Sequence, residues 1–139
     1  MQEITIMGWE EAKRLAYPIR LTVFVNEQQV PEELELDEDD PTAWHAVVFK
    51  DEQAIATGRL LRNGKIGRLA VLKEYRGLGL GSELLKTLVS HGRQEGITQF
   101  FLHAQTSAVG FYERHGFKAT GLPFEEAGID HIKMVQMSD

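Results

Sequence analysis

The sequence contains no cysteine, which excludes a disulfide framework, thiolate metal sites and a cysteine nucleophile. Only four prolines interrupt its 139 residues, and none lies in a Pro/Ser-rich stretch of the kind that marks a linker. No run of ~18 apolar residues is present, so no membrane-spanning helix is expected. The opening residues Met1-Gln2-Glu3-Ile4-Thr5-Ile6 lack a basic region followed by an apolar stretch, so no secretory leader is expected and the predicted localisation is cytoplasmic. Positive charge is also short. Fifteen Lys and Arg face 21 Asp and Glu, a net charge of −6 that repels a phosphate backbone and argues against general nucleic-acid binding. What remains is ordinary for a folded domain: 42% hydrophobic and 26% charged residues, in a length that suits one domain over residues 1–139.

The mean charge hides a split. Glu27, Glu32, Glu33, Glu35, Asp37, Glu38, Asp39 and Asp40 form an acidic stretch without a single Lys or Arg, and the rest of the chain, 13 acids against 15 bases, is +2. Between Arg59 and Arg76 the sign reverses, with Arg59, Arg62, Lys65, Arg68, Lys73 and Arg76 against Glu74 alone. Two readings stand side by side at this stage: both segments are solvated faces, or one awaits a cation and the other an anion.

Apolar spacing gives the elements. Ile4 to Met7 reads as a strand, and Ala12, Leu15, Ala16, Ile19 and Val23 recur at helical intervals within Trp9 to Val25, with Pro18 placed to split or kink the helix. Ala43 to Phe49, Ala54 to Leu61 and Ile66 to Leu72 read as three antiparallel strands, the last two joined by the turn dipeptide Asn63-Gly64. Leu84, Leu85, Leu88, Val89 and Gly92 line one face of a long helix that Gly96 ends. Gln99 to Ala104 is a further strand, so a parallel crossover is expected. A short helix over Ser107 to Arg114, a strand from Phe117 and a last strand from Ile129 to Met137 complete the chain.

Arg76-Gly77-Leu78-Gly79-Leu80-Gly81-Ser82 lies between a strand and the long helix. Alternate glycines permit backbone conformations that a Cβ forbids, and free N–H groups at a helix start attract anions, so the loop suits a pyrophosphate. A plain turn explains the glycines equally well. The Walker pattern is absent because no Gly-Lys-Ser/Thr follows, and the preceding hairpin-like strands disfavour a dinucleotide fold.

A second element follows in Ala108-Val109-Gly110-Phe111-Tyr112-Glu113-Arg114-His115-Gly116-Phe117. Arg76-x-x-Gly79-x-Gly81, preceded by Leu69-Ala70-Val71 and followed by Phe111-Tyr112-x-x-x-Gly116-Phe117, resembles the GCN5-related N-acetyltransferase (GNAT) family along essentially the whole chain. Phe24-Val25-x-Glu27-Gln28-x-Val30-Pro31, with Asp37, Asp40 and His45, is similar to the small bacterial ElaA-like subgroup. The resemblance implies an α/β (α+β) fold. Its centre is a mixed, mostly antiparallel sheet of six to seven strands flanked by about four helices, with two splayed parallel strands that bind the cofactor.

It also implies acetyl-CoA as co-substrate and an acetyl group passed directly to a primary amine, of a small cationic or peptidic acceptor. Leu69, Ala70 and Val71 are expected to pair with pantetheine, and an N–H near Val71 to polarise the thioester carbonyl. Arg76, Gly77, Leu78, Gly79, Leu80, Gly81 and Ser82 are expected to hold the pyrophosphate. Gln105 stands where many members have Asn, one methylene longer. Tyr112 holds the position of the general acid beside the departing sulfur. A phenol near ~10 giving its proton to a thiolate near ~8.5 is uphill by ~2 kcal/mol, so Tyr112 needs tuning or acts as a hydrogen-bond donor.

An ammonium must lose a proton before it attacks, and Glu27, His45, His103 and His131 are the candidate bases, with Glu27 and His103 favoured. Each has a structural alternative as a capping or core residue. The acidic segment falls on the family's acceptor side, which points to Glu27, Asp37, Asp40, His45 and His131 as substrate contacts. Phe124 to His131 is either a loop at the edge of a substrate groove or a simple hairpin connection. No His/carboxylate spacing supports a metal. The expected partners are acetyl-CoA and an amine, with no nucleic acid and no membrane, in a monomer or homodimer. A non-catalytic acyl-CoA-binding module that docks a partner is the alternative reading, and a bare phosphate-binding domain a third.

Overall fold

Every strand in the computed structural model joins a single sheet, in the order β1-β2-β3-β4-β5-β7-β6; the structure describes residues 2–35 and 37–136. The first four strands are antiparallel neighbours: β1 (Gln2–Met7), β2 (Trp44–Lys50), β3 (Gln53–Leu60) and β4 (Lys65–Val71). The expected three-strand meander thus gains the N-terminal strand at its edge. Asn63-Gly64 turns β3 into β4 with Gly64 at φ +98, and a Cβ there would lie 2.3 Å from the Gln99 carbonyl, so only glycine fits.

Helix α2 (Leu80–Gln94) buries Leu80, Leu84, Leu85, Leu88 and Val89 in the core. Fully burying each leucine contributes ~1.5–3 kcal/mol before entropy is counted, so this face anchors the sheet. Gly92 lets the helix sit close, because a Cβ there would stand 2.6 Å from the Phe100 ring. The chain then enters β5 (Phe101–Gln105), parallel to β4 as the crossover requires. A short helix α3 (Val109–Glu113) leads into β6 (Phe117–Glu126) and β7 (Ile129–Gln136). These two form a hairpin whose turn residues Ala127 and Gly128 both have positive φ, +53 and +79, which settles the segment 124–131 as hairpin rather than loop. The strand expected to reach Met137 is described to Gln136; Met137 lies outside the described residues.

Helix α1 (Trp9–Arg20) runs through Pro18 instead of stopping at it. Beyond Arg20 the turns widen: across Leu21–Glu27 the backbone bonds reach five residues back, as from the Gln28 N–H to the Val23 carbonyl at 3.1 Å. The helix expected over Trp9 to Val25 is therefore two pieces. Three helices and this widened segment stand where about four helices were expected. The acidic stretch follows as short 3-10 turns at Glu32–Leu34 and Asp40–Thr42.

Candidate active-site cleft

Strands β4 and β5 pair only where they begin, Lys65 with Phe101 and Ile66 with Leu102. Further on, β4 pairs only with β3 and β5 only with β7, so two unpaired strand edges face each other in the middle of the sheet. The parting coincides with a bulge. The β3–β4 register slips between Thr57 and Arg59, so that Gly58 opposes both Arg68 and Leu69, and Arg68 takes φ +52. Gly58 is required here, since a Cβ would lie 2.6 Å from Leu69 Cδ2. A groove of about 520 Å³ opens between the strands, reached by Leu69, His103, Gln105, Tyr112 and His131.

The glycine loop stands at the start of α2. Gly79, at φ +83, caps the helix without a side-chain hydrogen bond, and the first intrahelical bond runs from the Glu83 N–H to the Gly79 carbonyl at 3.0 Å. The amides of Leu80, Gly81 and Ser82 therefore have no acceptor within the helix. A Cβ built on Gly77 or Gly79 meets nothing within 4 Å, so positive φ, not crowding, demands glycine at both. Gly81 has a different reason: a Cβ there would touch the Phe111 ring at 3.4 Å, where α3 packs on α2. Arg76 folds back from the loop. Its Nε donates to the Val71 carbonyl and its Nη2 to Glu27 Oε1, both at 2.9 Å. Gln105 donates from Nε2 to Gln28 Oε1 at 2.9 Å. The end of the widened segment is thereby tethered to the cleft at two points.

Tyr112, in α3, borders the groove, and its hydroxyl has no hydrogen-bond partner among the described residues. Burial pushes the phenol up to about 12. His103, on β5, bonds through Nδ1 to Glu126 Oε1 at 3.0 Å and packs edge-on against Phe124. Glu126 was not among the expected site residues. Strand alternation puts Phe124 and Glu126 on one face once 124–131 is a hairpin, and that is the signal that would have found it. His131 is nearly buried, held through Nδ1 on the Ile129 carbonyl at 2.7 Å.

The acidic segment is built otherwise. Arg20, buried in α1, binds Glu35 and Asp40 with its guanidinium. Arg59 reaches Asp37 and Asp40 through Nη1 at 2.8 to 3.0 Å, and Arg68 reaches Asp37 at 2.9 Å. Burial raises the Asp37 carboxyl, but Arg59 and then Arg68 outweigh it and hold it at about 2. Asp40 is likewise raised by burial and held below the usual range by Arg20 and Arg59. His45 is buried beneath the same cluster, its Nε2–H on the Asp40 carbonyl at 3.0 Å, and burial holds it below its ordinary value. Asp40 and His45, at 1% exposure each, stand in the core and not on the groove; Asp37 borders it; Glu27 is taken up by Arg76. Half of the acidic stretch, Glu27, Glu35, Asp37 and Asp40, is paired with Arg59, Arg68 and Arg76 of the basic stretch and with Arg20 of α1.

A splayed parallel pair, a glycine-capped helix start beside it and a tyrosine on the same groove define an acyl-CoA-dependent transferase fold. The comparisons agree. A model of the acetyltransferase (GNAT) domain matches residues 10–137. An N-acetyltransferase of Bacillus subtilis strain 168, YjcF, itself uncharacterized, is 38% identical over 131 residues, 91% of this chain and 94% of that protein. Among solved structures, an acyl-CoA N-acyltransferase from Pseudomonas aeruginosa superposes with a TM-score of 0.90 at 27% identity, covering 99% of this chain and 100% of that one. Escherichia coli ElaA gives 0.88 at 26% identity, with the same coverage. The chain belongs to the GNAT family of acetyltransferases and resembles ElaA within it.

Proposed function

We propose that this acetyltransferase takes its acyl group from acetyl-CoA and passes it directly to a primary amine. The observation that carries the reading is the meeting, in one groove, of two unpaired strand edges, the unpartnered Tyr112 hydroxyl and the His103–Glu126 pair. The edge at Leu69, Ala70 and Val71 suits pantetheine amides, and the amides of Gly77 to Ser82 suit a pyrophosphate. A main-chain N–H near Val71 polarises the thioester carbonyl. Arg76 reaches a phosphate only by leaving Glu27.

With Nδ1–H donating to Glu126, His103 keeps its Nε2 lone pair for the proton of the attacking ammonium. His103 thus takes the base role in preference to Glu27. Tyr112 stays protonated at neutral pH. From about 12, full transfer to a thiolate near ~8.5 is uphill by about 5 kcal/mol, so its part is to donate a hydrogen bond as charge grows on sulfur. The pairing of Glu27, Glu35, Asp37 and Asp40 with arginines from other segments weakens the support for a cationic acceptor; the amine itself is retained.

Calorimetric titration with acetyl-CoA, with ADP for comparison, is the first test, and acetyl-CoA is expected to bind well above ADP. Tyr112→Phe is then expected to lower turnover at least tenfold at nearly unchanged acetyl-CoA affinity, and His103→Ala by roughly a hundredfold, the lower end of general-base contributions. Equal binding of ADP would remove the cofactor, normal turnover in both variants would remove the roles given to Tyr112 and His103, and acetyl-CoA binding without turnover of any amine would leave an acyl-CoA-binding module instead of a catalyst.

A further inference from the structure

The groove holds one cation whose partners cover only half of it. Arg59 is 6% exposed, and its three hydrogen bonds, to Asp37 and Asp40, all leave from Nη1. Nε and Nη2, the edge of a guanidinium that grips a carboxylate with two parallel bonds, have no partner among the described residues. Nε is closed off from solvent, whereas Nη2 is not, and Arg59 borders the groove. Lys65 and Arg68 border it as well, Arg68 aimed there from the left-handed position at the bulge. The cluster behind them is balanced, with Arg20, Arg59 and Arg68 against Glu35, Asp37 and Asp40; Asp39 and Glu126 border the groove as its remaining carboxylates.

We infer that the acceptor is an amino-carboxylate, its amine offered to His103 and its carboxylate received by the unpartnered Nη2 of Arg59. The inference rests on the transferase reading above and reverses the sign of acceptor that the acidic run of the sequence suggested. A charge-assisted bond to a buried, pre-oriented guanidinium penalises a substrate that lacks the anion, because the donor is then left without a partner. Free amino acids and the C-termini of short peptides share this chemistry.

The test is a thiol-release assay with acetyl-CoA and matched sets of acceptors: α- and ω-amino acids and dipeptides, each beside its carboxamide and its decarboxylated amine. At least a tenfold advantage in kcat/KM of the acids over their carboxamides is expected, and whether amino acids or dipeptides lead distinguishes the two sources. Arg59→Lys keeps a cation for Asp37 and Asp40 but removes the open edge. It is expected to cut the preference below threefold while acetyl-CoA affinity stays near wild type. If that variant does not fold, the wild-type comparison decides alone. Carboxamides, alkylamines or diamines turned over as well as the acids overturn the inference and leave the transferase standing. Acetyl-CoA binding with no acid in the set acetylated overturns the inference as well. Failure to bind acetyl-CoA removes the transferase reading itself.

Discussion

The two walls of the cleft use charge in opposite ways. On the β4 side, Glu27, Glu35, Asp37 and Asp40 from one segment meet Arg59, Arg68 and Arg76 from the other, with Arg20 from α1 between them. On the β5–β7 side charges are few, but a phenol has no partner and an imidazole is held by one nitrogen only. Density of charge along the chain therefore marks how the acidic segment is fastened to the sheet. The proposed chemistry uses polar atoms left without a partner in the free protein. Arg59, on the fastened side, combines the two behaviours: half of it is fastened and half is without a partner among the described residues.

The sharpest way to break this contrast is to remove a member of the fastened side. Arg20→Met leaves the buried carboxylates of Glu35 and Asp40 without their shared cation, and is expected to cost about 3–5 kcal/mol of stability. Denaturant midpoints would show it, and a loss below about 1 kcal/mol would mean that the cluster is a solvated surface after all. A second test uses pH. Asp37 sits at about 2 in the fold against an ordinary 3.8, so its stabilisation is complete above roughly pH 4–5 and drains as pH falls toward 2, about 2 kcal/mol in all. Asp40 acts in the same sense. His45 is held neutral by burial, below its ordinary 6.5, so stability begins to fall as soon as pH drops through that value. Urea midpoints between pH 8 and 3 should fall in these two stages, and His45→Gln should remove the earlier one; a midpoint flat from pH 5 to 3 would contradict the pairing of Asp37.

The division also explains what could be read before the structure. Glycine spacing at 77, 79 and 81, the Asn63-Gly64 turn and the apolar face of α2 are local signals, and each element appears where its pattern put it. Pairing between distant segments leaves no such trace. Nothing near Asp40 says that it will meet Arg20 and Arg59, twenty residues before and nineteen after. The same holds for His103 and Glu126, brought together only by the β5–β7–β6 order. Pro18 was placed to split or kink the helix over Trp9 to Val25; α1 runs through it to Arg20, and the segment divides there, where the widened turns of Leu21–Glu27 begin.

On the open wall the expected effects are smaller and appear in turnover, not stability. Glu126→Gln keeps a group beside His103 Nδ1 but removes the charge that stabilises the imidazolium. It is expected to lower kcat about tenfold, or about 1.4 kcal/mol, with the acetyl-CoA affinity unchanged. Combined with His103→Ala it should add nothing. Full additivity of the two losses would show that Glu126 acts by some route other than the imidazole.

Glu27 gives the smallest effect and the finest discrimination, because it carries negative charge at the cleft yet is already partnered. Its bond to Arg76 is partly exposed, with side chains at 31% and 43%, so Glu27→Gln should change stability by well under 1 kcal/mol. Arg76 then loses the charge on its tether to the widened segment, keeping a neutral acceptor there and its bond to the Val71 carbonyl. Acetyl-CoA is expected to bind up to threefold more tightly at low salt, the gain shrinking as ionic strength rises, with kcat within a factor of two of wild type. A hundredfold fall in kcat would reverse the assignment, making Glu27 the base and His103 a structural residue of the β5–β7 wall.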